Sequence, residues 1–126
     1  RAAEYRGNEV RQAFLQTAGF DVSAIKLHDG SGLARHNLLT PKAVVRLLQY
    51  MSSHQSAQVF KESLPIAAFD GTLEQRMKGT SADRKVHAKT GSLGGVNAMS
   101  GYVTSKNGQM ITFSCMANNY VGPALE

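Results

Sequence analysis

Residues 85–118 read KVHAKTGSLGGVNAMSGYVTSKNGQMITFSCMAN, and this stretch decides the fold. From Lys85 to Thr90 small or apolar side chains alternate with basic ones, which predicts a strand with two different faces. The glycine-rich segment from Gly91 to Gly95 predicts a loop. Ala98 to Thr104 and Met110 to Asn118 predict two further strands. The Asn107-Gly108 pair between them is a strong hairpin signal, because both residues tolerate positive φ.

The residues before this stretch show helical spacing instead. Apolar side chains recur from Asn8 to Ala18, with Asn8 suited to cap the helix start and Gly19 suited to end it. Thr40-Pro41 predicts the start of a second helix that runs to about Ser52, because threonine can cap and proline at the first position needs no amide partner.

Shorter elements fill the gaps between these helices and the strands. We predict a short strand from Ala24 to Leu27, a helix from Ala57 to Ser63, and one or two helical turns from Thr72, as their cap, to Met77. Helices therefore precede an antiparallel sheet, which is the order of an α+β domain.

Composition limits the possible functions. The 126 residues suit one small domain, and the formal net charge of +5 favours an acidic partner. The basic residues are scattered without interleaved aromatics, so we expect no nucleic-acid binding. We expect no transmembrane segment, because no apolar run is long enough to span a bilayer. The spacing of the four histidines does not predict a zinc site. We interpret Cys115, the single cysteine, as a buried small hydrophobe within a strand.

Lys89-Thr90-Gly91-Ser92 is the group of residues best suited to chemistry. A lysine on a strand offers a fixed cation that can hold an anionic substrate or exchange protons with a nucleophile. Thr90 and Ser92 add hydroxyls that could bind a carboxylate, and the Ser92 amide could donate to an oxyanion. Gly91 would let a substrate backbone lie against the strand. The alternative interpretation is a solvent-exposed lysine that leads into a turn.

Four ordered blocks favour the first interpretation, because together they resemble the type-4 penicillin-binding proteins. The blocks are DGSGLARHNLLTP from Asp29 to Pro41, FDGTL from Phe69 to Leu73 with Arg76 after it, AKTGSL from Ala88 to Leu93, and SGYV from Ser100 to Val103. Members of that family are low-molecular-mass D-alanyl-D-alanine carboxypeptidases and endopeptidases of bacterial cell walls. Lys-Thr-Gly is a known element of penicillin-interacting serine enzymes.

The resemblance implies a role for each residue of the strand. Lys89 would hold the substrate carboxylate and assist proton transfer around a catalytic serine. Thr90 and Ser92 would hydrogen-bond the terminal carboxylate of a D-Ala-D-Ala stem peptide or a β-lactam, and the Ser92 amide would be one oxyanion donor. Gly91 would leave room for the substrate, and Leu93 would help to wall the pocket. No cofactor or metal is implied. The implied location is periplasmic or otherwise extracytoplasmic.

The resemblance also implies that part of the catalytic domain is missing. Ser23-Ala24-Ile25-Lys26 matches the letters of the Ser-x-x-Lys nucleophile motif, but it lies where the family has a strand. Ser105-Lys106-Asn107 matches Ser-x-Asn, although a hairpin turn explains it better. We therefore expect residues 1–126 to be the C-terminal portion of a DD-peptidase domain of the β-lactamase type, without the nucleophile-bearing portion and inactive alone. A β-lactamase or esterase of the same fold, or a noncatalytic cell-wall binding module, remains an alternative.

Overall fold

The computed structural model describes residues 2–122, with the side chains of residues 6–122. The helices are α1 (Ala2–Thr17), α2 (Pro41–Ser52) and α3 (Ala57–Glu62), and the strands are β1 (Val86–Leu93), β2 (Val96–Thr104) and β3 (Met110–Asn118). Two short 3-10 helices, Val22–Ala24 and Gly71–Leu73, lie between them. The predicted α+β order is confirmed.

Helix α2 has the predicted limits because its signals are local. The Thr40 hydroxyl accepts a hydrogen bond from the Ala43 amide at 3.1 Å, and Pro41 occupies the first turn. Helix α1 ends as predicted, before Gly19 with its φ of 77°. The predicted cap at Asn8 is wrong, since α1 begins at Ala2 and Asn8 lies inside it. Its side-chain amide donates to the His28 carbonyl instead.

Two further expectations need correction. The predicted strand from Ala24 to Leu27 is reduced to a single bridge between Lys26 and Leu38, and Ala24 ends a 3-10 helix whose cap is the Asp21 carboxylate. The helical turns predicted from Thr72 to Met77 are one 3-10 turn, Gly71–Leu73, and Thr72 does not cap it. Met77 has a φ of 64°, which no right-handed helix contains.

Strand β1 continues beyond the predicted limit, so the loop expected from Gly91 to Gly95 is also wrong in part. Gly91 pairs with Ala98, Ser92 with Asn97 and Leu93 with Val96, which leaves only Gly94 and Gly95 for the turn. The β2–β3 hairpin lies where Asn107-Gly108 predicts it. Of those two residues only Gly108 adopts positive φ, at 82°, and its amide bonds the Ser105 carbonyl at 3.0 Å.

The sheet has the order β1-β2-β3 and is antiparallel throughout. Paired residues of antiparallel strands point to the same face. Tyr102 of β2 identifies the face of the sheet that the helices cover, here called the helical face, because its buried hydroxyl donates to the Leu48 carbonyl of α2 at 2.7 Å. Its ring also packs edge-on against Phe60 of α3. Helix α1 packs outside α2 through the Phe14 and Tyr50 rings.

The opposite face of the sheet carries the main core. Ala67, Leu73, Val86 and Ala88 are buried there, with Met99, Val103 and Phe113 packed against them. Among the described residues the helices lie on one face, and the chain between α3 and β1 covers the other. Cys115 is exposed on β3, so its predicted burial is wrong.

Candidate active site

The two halves of β1 differ along their outer edge, the edge that faces away from β2. Beside the first half, the Ala67 amide donates to the Val86 carbonyl and the Ala88 amide to the Pro65 carbonyl, both at 2.9 Å. Backbone groups alternate in direction along a strand, so the amides of Thr90 and Ser92 also point to this edge. No backbone partner lies there for either amide among residues 2–122. We call Lys89–Leu93 the open edge.

Lys89 begins the open edge and is exposed. Its register partner on β2 is Ser100, so its side chain leaves the sheet on the helical face. The ammonium donates to the Thr90 carbonyl at 2.7 Å, and that carbonyl belongs to the unpaired edge. The cation is therefore held beside the outward backbone groups of the open edge.

Thr90 and Ser92 lie on the other face of the strand from Lys89, as alternation predicts. The Thr90 hydroxyl donates to the Thr72 hydroxyl at 2.8 Å. Ser92 is exposed. The predicted pair of hydroxyls is thus presented on one side of the open edge, with the ammonium on the other side.

Gly91 lies between Thr90 and Ser92, and the described fold leaves room for a larger residue there. A Cβ at this position would come no nearer than 4.0 Å to another atom, the Ala98 Cβ. Its φ is also outside the positive range that favours glycine. Neither packing nor backbone conformation within the described residues requires a glycine here.

The Asp29–Pro41 block reaches the far end of β1. The Arg35 guanidinium donates to the Gly94 carbonyl at 3.1 Å, next to half-buried Leu93. Asp29 accepts bonds from the Ser31 amide at 3.1 Å and from the Ser31 hydroxyl, and these bonds lower the Asp29 pKa. Asp29 therefore holds a turn. Asp70 likewise holds a turn, because its carboxylate accepts from the Ile66 amide at 2.6 Å.

His87 lies two residues before Lys89 and on the same face. Its Nδ1 atom is buried without a hydrogen-bond partner among the described residues. Burial lowers the pKa of His87, and the nearby positive charge of Lys61 lowers it further. A backbone hydrogen bond with Lys61 and the negative charge of Asp70 raise the pKa by smaller amounts, so the net shift is downward. A neutral imidazole therefore adds no second cation beside Lys89 at neutral pH.

Ser23 is not placed as a nucleophile. It lies in the Val22–Ala24 turn, and its hydroxyl donates to the Asp21 carboxylate at 2.5 Å. Within residues 2–122 no group of three or more histidine, cysteine, aspartate or glutamate side chains is placed to hold a metal ion. No helix in this part of the chain is long and apolar enough to cross a membrane.

Sequence reasoning missed Thr72 as a neighbour of the open edge. The only signal was its position in the FDGTL block, which we interpreted as a helix cap. Its actual partner, Thr90, is 18 residues away in the sequence, so local spacing could not predict the contact.

The antiparallel sheet, with helices on one face and Lys-Thr-Gly-Ser on its edge strand, is that of the β-lactamase and DD-peptidase class of domains. Residues 3–126 match the family described as D-Ala-D-Ala carboxypeptidase 3 (S13). The chain belongs to this family.

Individual relatives agree with this assignment. The chain is 44% identical over 115 residues to a D-alanyl-D-alanine carboxypeptidase of Actinomadura sp. (strain R39), and that match covers 87% of the chain and 21% of the relative. It is 36% identical to the D-alanyl-D-alanine carboxypeptidase DacB of Haemophilus influenzae, covering 91% of the chain and 24% of the relative. The chain thus spans between a fifth and a quarter of the length of these two curated relatives.

A solved structure shows the same fold. Penicillin binding protein 4 (dacB) from Haemophilus influenzae superposes with a TM-score of 0.85 at 35% identity, over 95% of this chain and 27% of that one. A second crystal structure of that protein, complexed with a β-lactam, gives a TM-score of 0.80 at 36% identity, over 90% of this chain and 26% of the other.

Proposed function

We propose that this chain is the substrate-carboxylate portion of a serine D-alanyl-D-alanine carboxypeptidase or endopeptidase. The observation that carries the proposal is the open edge, where a cation, two hydroxyls and a glycine that the described fold does not need lie together on the outer side of β1. A longer protein, here called the parent protein, would supply the serine nucleophile and the Ser-x-Asn group.

The open edge suits an extended peptide with an anionic end. A peptide can pair with the outward amides and carbonyls of Thr90 and Ser92 as an added antiparallel strand. Lys89 then supplies positive charge for the terminal carboxylate, and the hydroxyls of Thr90 and Ser92 supply hydrogen bonds to it. Leu93, at the end of the strand, would contact the side chain of the substrate.

The same geometry suits stabilisation of a tetrahedral intermediate. The Ser92 amide points outward with no partner among the described residues, so it can donate to an oxyanion. In the proposed reaction the parent protein's serine attacks the D-Ala-D-Ala carbonyl and expels D-alanine, and water or an amine then cleaves the acyl-enzyme. Lys89 would favour the deprotonated nucleophile by its charge.

The substrates and location follow from the family and belong to the same proposal. Peptidoglycan stem peptides are the expected substrates, and β-lactams are expected to acylate the serine. The Haemophilus influenzae structure in complex with a β-lactam supports the second expectation. Peptidoglycan lies outside the cytoplasmic membrane, so we propose an extracytoplasmic location.

Labelling with a fluorescent penicillin tests the proposal. The parent protein should become covalently labelled, whereas residues 1–126 alone should not. Lys89→Met keeps most of the side-chain length but removes the charge, and should slow labelling on the order of 100-fold. Lys106→Met removes another exposed lysine, in the β2–β3 turn, and should label like the unmodified protein.

Three results would contradict the proposal. Labelling of residues 1–126 alone would place a nucleophile inside this chain. A Lys89→Met parent protein that labels at the unmodified rate would remove the open edge from the reaction. A parent protein that binds stem peptides but never forms an acyl-enzyme would instead be a noncatalytic binding module.

A further inference from the structure

Thr72 makes a contact with the open edge that the proposed function does not yet use. Its hydroxyl oxygen lies 2.8 Å from the Thr90 hydroxyl, which donates to it. Thr72 is exposed and Thr90 is half-buried, so the pair lies at the surface where a substrate carboxylate would arrive. A hydroxyl has only one proton to donate, and in this arrangement Thr90 directs that proton at Thr72.

The residues on either side hold Thr72 in place. Leu73 is fully buried in the core beside Ala88 of β1. Gly71 has a φ of 53°, and a Cβ there would lie only 3.1 Å from the Pro65 ring, so this backbone is closely packed. Pro65 is itself bonded to the Ala88 amide at 2.9 Å. The Thr72 hydroxyl is therefore fixed relative to β1 although it is exposed.

We propose that Thr72 is a positioning residue that acts through Thr90 in binding a substrate carboxylate. When the carboxylate arrives, Thr90 turns its proton towards the anion, and Thr72 donates its own proton to the Thr90 oxygen. The single hydrogen bond between them reverses direction and the Thr90 side chain keeps its place. A donor that is itself receiving a hydrogen bond binds an anion more strongly.

This inference rests on the proposed function, because it needs a carboxylate at the open edge. It adds a specificity consequence: Thr72 should matter for ligands with a free carboxylate and not for ligands that lack one. Benzylpenicillin and its methyl ester form a matched pair of probes, since the ester keeps the reactive ring and removes the anion.

The test measures acylation of the parent protein by both probes, in competition with a fluorescent penicillin. Thr72→Val keeps the shape and removes the hydroxyl, and should slow acylation by benzylpenicillin about fivefold to tenfold. Acylation by the methyl ester should be unchanged. Thr72→Ser retains the hydroxyl and should restore the rate with benzylpenicillin.

A double-mutant cycle separates the possible failures. If Thr72 acts through Thr90, Thr72→Val should add nothing to the loss already caused by Thr90→Val. Equal slowing of both probes, or independent losses that multiply, would overturn the positioning role. If Thr90→Val slows acylation while Thr72→Val does not, this inference fails and the proposed function stands. If Thr90→Val itself has no effect, the proposed function fails at that residue.

Discussion

The first and second halves of β1 differ in burial and in the pairing of their outer edge. Val86 and Ala88 are buried, and the Val86 carbonyl and the Ala88 amide have backbone partners on the outer edge. Two residues later the outer partner ends, and Lys89, Gly91 and Ser92 are exposed. The paired half fixes the position of the strand. The second half is held by its pairing with β2, so its outward backbone groups are not needed to keep it in place. One strand thereby serves as both core and candidate binding edge.

Two glycines show the same difference. A Cβ on Gly101, opposite the paired half, would lie 2.1 Å from the His87 carbonyl oxygen and 2.6 Å from the Ala88 Cα. A Cβ on Gly91, in the open edge, would meet nothing closer than 4.0 Å. Packing among the described residues explains the first glycine and does not explain the second.

Gly101→Ala should have the largest effect, because the new methyl group overlaps backbone atoms that cannot rotate away. We expect the free energy of unfolding of the parent protein to fall by about 3 kcal/mol, at the upper end for overpacking. Chemical denaturation measures this loss. Gly7→Ala is the control, since α1 has open space there and alanine favours a helix. Equal stability of both variants would contradict the β1–β2 register.

Gly91→Ala should instead separate function from folding. We expect the unfolding free energy to stay within about 0.5 kcal/mol of the unmodified value, since this strand position has room. Penicillin labelling should slow about 100-fold, because the methyl group occupies the Lys89 side of the strand and displaces the substrate. A variant that labels normally would mean that the open edge does not hold the substrate closely.

Tyr102→Phe tests the hydrogen bond that holds helix α2 against the sheet. Loss of the hydroxyl leaves the Leu48 carbonyl of α2 without its buried donor, which should cost about 1 to 2 kcal/mol in unfolding free energy. Chemical denaturation measures the change. Tyr120→Phe, outside the strands, is the control and should change stability little. If the two variants are equally stable, the Tyr102 hydrogen bond does not couple α2 to β2.

His87→Gln should have the smallest effect, and it should appear only in acid. Burial lowers the His87 pKa in the folded protein, whereas the unfolded chain binds a proton near the ordinary value of 6.5. Below that pH the unfolded state therefore binds more protons, so stability falls as the pH falls. The variant should lose less stability than the unmodified protein between about pH 7.5 and about pH 5.5. His36→Gln, at an exposed position, should leave the loss unchanged.

The sequence could predict the elements whose signals are local. Thr40 and Pro41 set the start of α2 through neighbouring atoms, and Gly19 ends α1 in the same way. The length of β1 could not be predicted, because pairing with β2 overrides the weak strand preference of Gly91 and Ser92. The exposure of Cys115 depends on what else covers the sheet, which its apolar neighbours do not reveal.

The candidate site divides in the same way. Lys89 to Leu93 could be identified from a motif and its neighbouring blocks, although their proposed roles stay predictions. The free outer edge follows from where the Pro65–Ala67 bridge stops, which is a tertiary fact. Thr72 depends on a 3-10 turn anchored by Leu73, and no period in the sequence encodes its distance from Thr90.

The open edge of β1 also bears on solubility. Two copies of a protein can pair through their exposed strand edges, and proteins often prevent this with a lysine and a short edge strand. Lys89 has the right place and charge for that purpose, and Gly94 and Gly95 turn the chain away soon after it. The side chain proposed to attract a small anionic peptide would then also repel a second, equally cationic copy of the strand.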